Sequence, residues 1–148
     1  MEVPGQQRPT VRQFERSQEV VATALDLVRR LGEPIWVPAA WPPEVGGPDH
    51  ILLLAPMRSR RTDYQLRGFN EEGHILIVHG HFRSPGNLES GLVPVDGERF
   101  ETLTRPSDQP PHVVIRTPTI DVHISGRALS PHAALALGRE LIEVSADG

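Results

Sequence analysis

Two histidines separated by a single residue are the side chains best placed to do chemistry in this sequence. His79 and His81 lie in the run from Gly73 to Phe82, whose apolar residues alternate as they do in a strand. Alternate residues of a strand share a face, so both imidazoles could coordinate one metal ion. The other interpretation is a polar patch at the end of a half-buried strand. Gly80 favours that interpretation, because a glycine in a strand often marks a bulge that would turn the histidines apart.

A later run, from Ile120 to Ser125, alternates in the same way and carries Asp121 and His123 on its polar face. If the two strands are neighbours with their polar faces together, four side chains form a nitrogen-rich set that suits zinc, iron or nickel. The expected metal set is His79, His81, His123 and Asp121. The favoured interpretation is nevertheless that these are ordinary strand residues hydrogen-bonded to their neighbours. A divalent metal is therefore a possible but not a favoured cofactor, and the sequence indicates no other.

An arginine cluster is the second candidate site. Arg58, Arg60 and Arg61 lie in a predicted loop, and arginine is suited to two-pronged contact with phosphate or carboxylate groups. The predicted site is therefore an anion or ligand site, and the alternative is a solvated loop. Nucleophilic catalysis has little support, because the chain contains no Gly-x-Ser-x-Gly motif.

Composition excludes several classes of function. The 148 residues include no cysteine, which rules out disulfides, thiolate metal sites and cysteine nucleophiles. All 15 basic residues are arginine, so a Schiff-base lysine and a P-loop lysine are absent, and this composition is typical of GC-rich bacterial genomes. The net charge of −4 argues against a nucleic-acid-binding protein. No apolar run is long enough to span a bilayer, and we expect a cytoplasmic protein, or an extracytoplasmic one if the chain is a fragment of a longer precursor.

Helices are predicted near both ends of the chain. The first begins at a capping box, Thr10 to Gln13, and ends at Gly32. The second begins after Ser130 with Pro131 in its first turn and runs to about Val144. Within it, Gly138 predicts a close approach of helix and sheet.

Strands fill the middle of the sequence. Asp63 to Phe69 and His74 to Phe82 predict a hairpin, as do the segments that flank Asp96-Gly97, and two further strands cover 113–116 and 120–125. The proline-bounded segment 34–43, which holds both tryptophans, is expected to be a linker that packs on the core, or else a ligand for a groove.

These elements predict one α+β domain over residues 10–148, preceded by a disordered segment over residues 1–9. The expected architecture is a mostly antiparallel sheet of six or seven strands with the N-terminal and C-terminal helices packed on one face.

Two resemblances bear on function. Gly73 followed after five residues by His79-Gly80-His81 resembles the opening of the first cupin motif, which would imply metal binding. The glutamate of that motif is absent, since Pro85 and Gly86 stand in its place. Only His112 could serve as the histidine of the second motif.

A longer pattern spans about 110 residues. It joins Leu31-Gly32, the segment Pro34-Ile35-Trp36-Val37-Pro38, hairpins and the segment Leu129-Ser130-Pro131. This pattern resembles uncharacterised extracytoplasmic domains of bacterial anti-sigma-factor-like membrane proteins, which implies a non-enzymatic regulatory role. The sequence therefore predicts a small soluble, non-catalytic domain that binds another protein or itself, with a metal-binding protein or enzyme as the alternative.

Overall fold

An antiparallel sheet of eight strands forms most of the protein. The computed structural model describes residues 18–55, 62–82, 92–95, 99–105 and 111–146. The strands lie in the order β1-β3-β4-β5-β9-β8-β7-β6, and β2 and β10 form a separate two-stranded sheet. Along the chain the elements are β1 (Gln18–Val21), α1 (Ala24–Leu31), β2 (Ile35–Pro38), β3 (His50–Leu54), β4 (Asp63–Phe69), β5 (Ile75–Phe82), β6 (Val93–Val95), β7 (Glu101–Thr104), β8 (His112–Arg116), β9 (Ile120–Ser125), α2 (Pro131–Arg139) and β10 (Leu141–Val144). The α+β class agrees with the sequence, but the prediction of six or seven strands was too low.

The central hairpins follow local turn chemistry. β4 and β5 pair from Tyr64–Gly80 to Phe69–Ile75. In the turn between them, the Asn70 side chain accepts hydrogen bonds from the backbone N–H groups of Glu72 and His74, and Gly73 has φ 85°. Such a left-handed residue is the usual task of glycine, so this hairpin is confirmed and its cause is local.

The N-terminal helix is shorter than the sequence predicted. Residues 18–21 form β1, which pairs with β3, and the helix begins only at Ala24. The capping box that starts it joins Thr23 and Asp26, with side chain to backbone distances of 3.1 and 3.0 Å. Its end at Gly32, with φ 77°, agrees with the prediction. The predicted box at Thr10 and the predicted disorder over residues 1–9 lie outside the described residues.

The C-terminal helix also ends early. α2 stops at Arg139, and the next residues form β10, in which Leu141 is opposite Pro38 and Val144 is opposite Ile35. The predicted continuation of the helix to Val144 was wrong, because this stretch gains strand pairing with β2. The close approach predicted at Gly138 is confirmed, since a Cβ atom there would lie 2.7 Å from Ile115 Cδ1.

One face of the large sheet packs on an apolar core. This core includes residues of α1, α2, β2 and β10 together with alternate residues of the central strands. Members that fix its position are Leu27, Val28, Trp36, Tyr64, Leu66, Val78, Val122, Ile124, Ala134 and Leu141. The tryptophan segment packs on the core as predicted, with Trp36 buried, but the predicted linker was wrong at residues 35–38, which form β2 and pair with β10. Among the described residues, neither helix is long and apolar enough to cross a bilayer.

Candidate functional site: a histidine-rich sheet face

The opposite face of the sheet carries the histidines. β5 and β9 are neighbours, with His79 opposite His123 and His81 opposite Asp121. The ring centroids of His79 and His81 lie 5.8 Å apart and those of His81 and His123 lie 4.9 Å apart. The two strands of the predicted metal set therefore lie side by side, with the three imidazoles on one face.

Gly80 does not bulge out of the strand. It pairs with Tyr64 of β4 on one side and with Val122 of β9 on the other. A Cβ atom at this position would lie 2.2 Å from the Tyr64 ring, so glycine is required because the tyrosine packs across the strand. The Tyr64 hydroxyl donates to the Trp36 carbonyl at 2.5 Å, which holds the ring there, and burial raises the pKa of Tyr64. The bulge suggested by the sequence was wrong.

A series of hydrogen bonds links three of the histidines to an arginine. Arg105 Nη2 lies 3.2 Å from His112 Nδ1, His112 Nε2 lies 2.9 Å from His123 Nδ1, and His123 Nε2 lies 2.9 Å from His81 Nε2. We call this series the Arg105 chain.

The arginine fixes the direction of the whole Arg105 chain. A guanidinium can only donate, so His112 Nδ1 accepts and the His112 proton is on Nε2. That proton is donated to His123 Nδ1, which places the His123 proton on Nε2, where it is donated to His81 Nε2. His112 and His123 each then donate one hydrogen bond and accept another with a single ring proton.

A second series runs beside the first on β4 and β5. Arg67 Nε donates to Gln65 Oε1 at 2.7 Å, which turns the Gln65 amide nitrogen toward His79 Nδ1 at 2.8 Å. The amide nitrogen can only donate, so the His79 proton is on Nε2, which contacts Asp63 Oδ2 at 3.1 Å. We call this series the Arg67 chain. Its acceptor, Asp63, is buried, with a relative exposure of 2%.

His123 is the most perturbed of these residues. Its pKa is lowered from 6.5 to about 3, chiefly because burial disfavours the charged ring; the neighbouring His81, His112 and His79 act in the same direction, and Asp63 opposes the shift. A neutral His123 is also what the Arg105 chain requires, since a proton on Nδ1 would face the proton that His112 donates. Electrostatics and hydrogen-bond direction therefore agree on one protonation state.

Asp121 occupies a different environment from the histidines. It is buried, and its Oδ1 accepts from Arg116 Nε at 3.3 Å. Within the described ranges, no three His, Asp or Glu side chains converge as the ligands of one ion would. The nearest pair of ring nitrogens from the predicted set is His81 Nε2 and His123 Nε2. The predicted anion site at Arg58, Arg60 and Arg61 lies outside the described residues.

The sequence did not reveal several residues of the Arg105 and Arg67 hydrogen-bond chains. His112 was weighed only for the second cupin motif, although it lies in β8 directly before a buried apolar run. Gln65 and Arg67 alternate with Tyr64 and Leu66 in β4, a period-two signal that places them on the polar face. Arg105 follows the end of β7 and carries no pattern that the sequence alone could reveal.

Comparison with known proteins identifies no relative of this protein. The chain matches no protein-family model, no curated protein and no solved structure. The resemblances to cupins and to anti-sigma-factor-like proteins therefore stay predictions.

Proposed function

We propose that this domain is a non-catalytic protein-binding module, and that it binds by adding a strand of its partner to the free edge of β1. The observation that carries this proposal is the exposure of that edge. Within the described residues β1 pairs with β3 alone, and Val20 in its centre is 66% exposed. An open strand edge presents unpaired N–H and C=O groups, which is the surface used in strand addition.

The two edges of the sheet differ in how well they are protected. β6, at the far edge, has three residues and carries Pro94 in its middle, which removes a backbone donor. β1 has neither proline nor lysine, and its one charge, Glu19, is bound by both Nη atoms of Arg30. These hydrogen bonds lower the pKa of Glu19 and leave its charge paired. β6 is thus protected by a proline that β1 lacks, and the charge on β1 is already paired with Arg30.

The histidine face supports a non-catalytic role. Both ring nitrogens of His79 and both of His123 are engaged within the two chains. A general base needs a free lone pair within reach of the proton that it removes. In these two rings each lone pair already accepts a hydrogen bond, so His79 and His123 join neighbouring strands and offer no free base.

A lysine on the proposed edge provides the test. Val20→Lys places a charge in the middle of β1 and should abolish partner binding, because a charged edge strand resists pairing. The matched control is Val93→Lys on β6, where the native valine is 40% exposed. The full-length protein and both variants would be used as bait in a lysate of the cells from which the protein comes. Amide hydrogen exchange would then be measured on the captured complex.

We expect the wild type and Val93→Lys to retain the same protein and Val20→Lys to lose it, with slowed exchange confined to β1. Equal capture by both lysine variants, or protection that appears elsewhere, would refute the β1 edge as the binding site.

Metal binding is the second candidate function. It is favoured by the 2.9 Å between His81 Nε2 and His123 Nε2, which is the separation of two ligand atoms held about 90° apart by bonds of about 2.0–2.1 Å. Against it, the Arg105 chain places a proton on His123 Nε2, so binding would require reversal of that chain. Metal analysis of the purified protein, with thermal unfolding with and without a chelator, tests this candidate. Stoichiometric metal that is lost in His81→Gln would support it, and metal-free protein unaffected by the chelator would exclude it.

A further inference from the structure

We propose that the strand added to β1 comes from a second copy of this chain, in a two-fold dimer with Val20 opposite Val20 of the second copy. This inference rests on the proposed function, because it names the partner for the same edge. The dimer would join two eight-stranded sheets into one continuous antiparallel sheet.

The faces of β1 restrict how it can pair with itself. Val20 is opposite Leu52 in β3, which is opposite Gln65 in β4, so Val20 lies on the histidine face. Gln18 shares that face, whereas Glu19 and Val21 lie on the face of the apolar core. A two-fold axis perpendicular to the sheet keeps each side chain on its own face, so only residues of the same face can lie opposite each other. The axis must therefore lie midway between the two copies of one residue. The two central possibilities are that Glu19 lies opposite Glu19 or that Val20 lies opposite Val20.

Charge and burial select between these registers. Centring on Glu19 would place two carboxylates directly opposite each other, and like charges in that arrangement are destabilising. Centring on Val20 instead covers an apolar side chain that is 66% exposed and places Glu19 opposite Val21. Glu19 keeps its ion pair with Arg30 in α1 of the same copy, so this register buries no unpaired charge. The edge of β1 is thus complementary to itself in one register.

The interface should be small. β1 has four residues, and interfaces below about 1,200 Å² are usually transient. We therefore expect a weak, concentration-dependent dimer with a dissociation constant of about 100 μM.

Single cysteines provide a direct test, because the chain contains none. Residues directly opposite each other in an antiparallel pair lie about 4.5–5.5 Å apart at Cα, within the range that a disulfide can bridge. Under mild oxidation of the full-length protein, Val20→Cys should form a covalent dimer. The matched variant Gln18→Cys lies on the same face and keeps the charge of Glu19, and it should form little because it is two residues from the axis in this register. Cross-linking of Gln18→Cys that equals or exceeds that of Val20→Cys would overturn the register.

Sedimentation equilibrium of the cysteine-free chain tests the dimer itself. Between about 10 μM and about 1 mM the wild type and Val93→Lys should change from monomer toward dimer, and Val20→Lys should stay monomeric. A wild type that is monomeric throughout overturns the inference. If Val20→Lys still abolishes capture of another protein in that case, the proposed function stands with a different partner. If Val20→Lys changes neither assembly nor capture, both proposals fail.

Discussion

Acidification should weaken this fold through His123 at a pH where most carboxylates are still ionised. The folded-state pKa of His123 is about 3, against an ordinary value of 6.5. Between pH 6.5 and about pH 3, His123 is protonated in the unfolded chain but neutral in the folded protein. The free energy of unfolding therefore falls as the pH falls. One proton corresponds to about 1.4 kcal/mol per pH unit. From pH 8 to pH 5 the loss from His123 alone should therefore reach about 2 kcal/mol.

Urea unfolding at several pH values measures this loss, with the fluorescence of buried Trp36 as the signal. His123→Gln removes the titrating group and should flatten the dependence on pH by up to one proton, even if the variant is less stable at neutral pH. The matched control is His132→Gln, an exposed residue of α2, which should keep the wild-type slope. If wild type and His123→Gln lose stability in parallel between pH 7 and pH 5, the reasoning about His123 is refuted.

Three further substitutions test the packing and hydrogen bonding described above. Arg105→Met should cost about 1–3 kcal/mol of unfolding free energy in urea and allow both tautomers of His112 in nitrogen-15 NMR spectra, whereas Arg127→Met, at an exposed position, should do neither. Gly80→Ala should cost about 1–3 kcal/mol or more in the same urea assay, because the new methyl group overlaps the Tyr64 ring, and combining it with Tyr64→Leu should recover part of the loss. Thr23→Ala removes the side chain that caps α1 and should lower the thermal midpoint by an amount equivalent to about 1 kcal/mol.

The sequence was most informative where structure depends on neighbouring residues. The β4–β5 hairpin follows from Asn70 and Gly73 in its turn, and alternation in β5 and β9 places His79, His81 and His123 on one face. Each of these features depends on residues within a few positions of one another, so a pattern in the sequence can carry it.

The errors concern pairings with distant parts of the chain. Residues 18–21 read as helix because the sequence does not show that Val21 will lie opposite Ile51, and Leu141 becomes a strand residue only because Pro38 lies beside it. The directions of the hydrogen bonds in the site likewise depend on residues that are distant in the sequence. His112 is one histidine among seven in the sequence, and its tautomer is set by an arginine that only the sheet brings near it.

The binding edge and the histidine face should be energetically independent. In the sheet order β1-β3-β4-β5-β9, four strand spacings separate Val20 from His123, or about 19 Å at about 4.8 Å per spacing. Sites farther apart than about 7–10 Å with no shared partners usually contribute additively to stability. Combining Val20→Lys with His123→Gln should therefore give a free energy of unfolding within about 0.5 kcal/mol of the sum of the single changes. His123→Gln alone should leave self-association intact at neutral pH. Loss of the dimer in that variant, while it remains folded, would show that the histidine face itself takes part in binding.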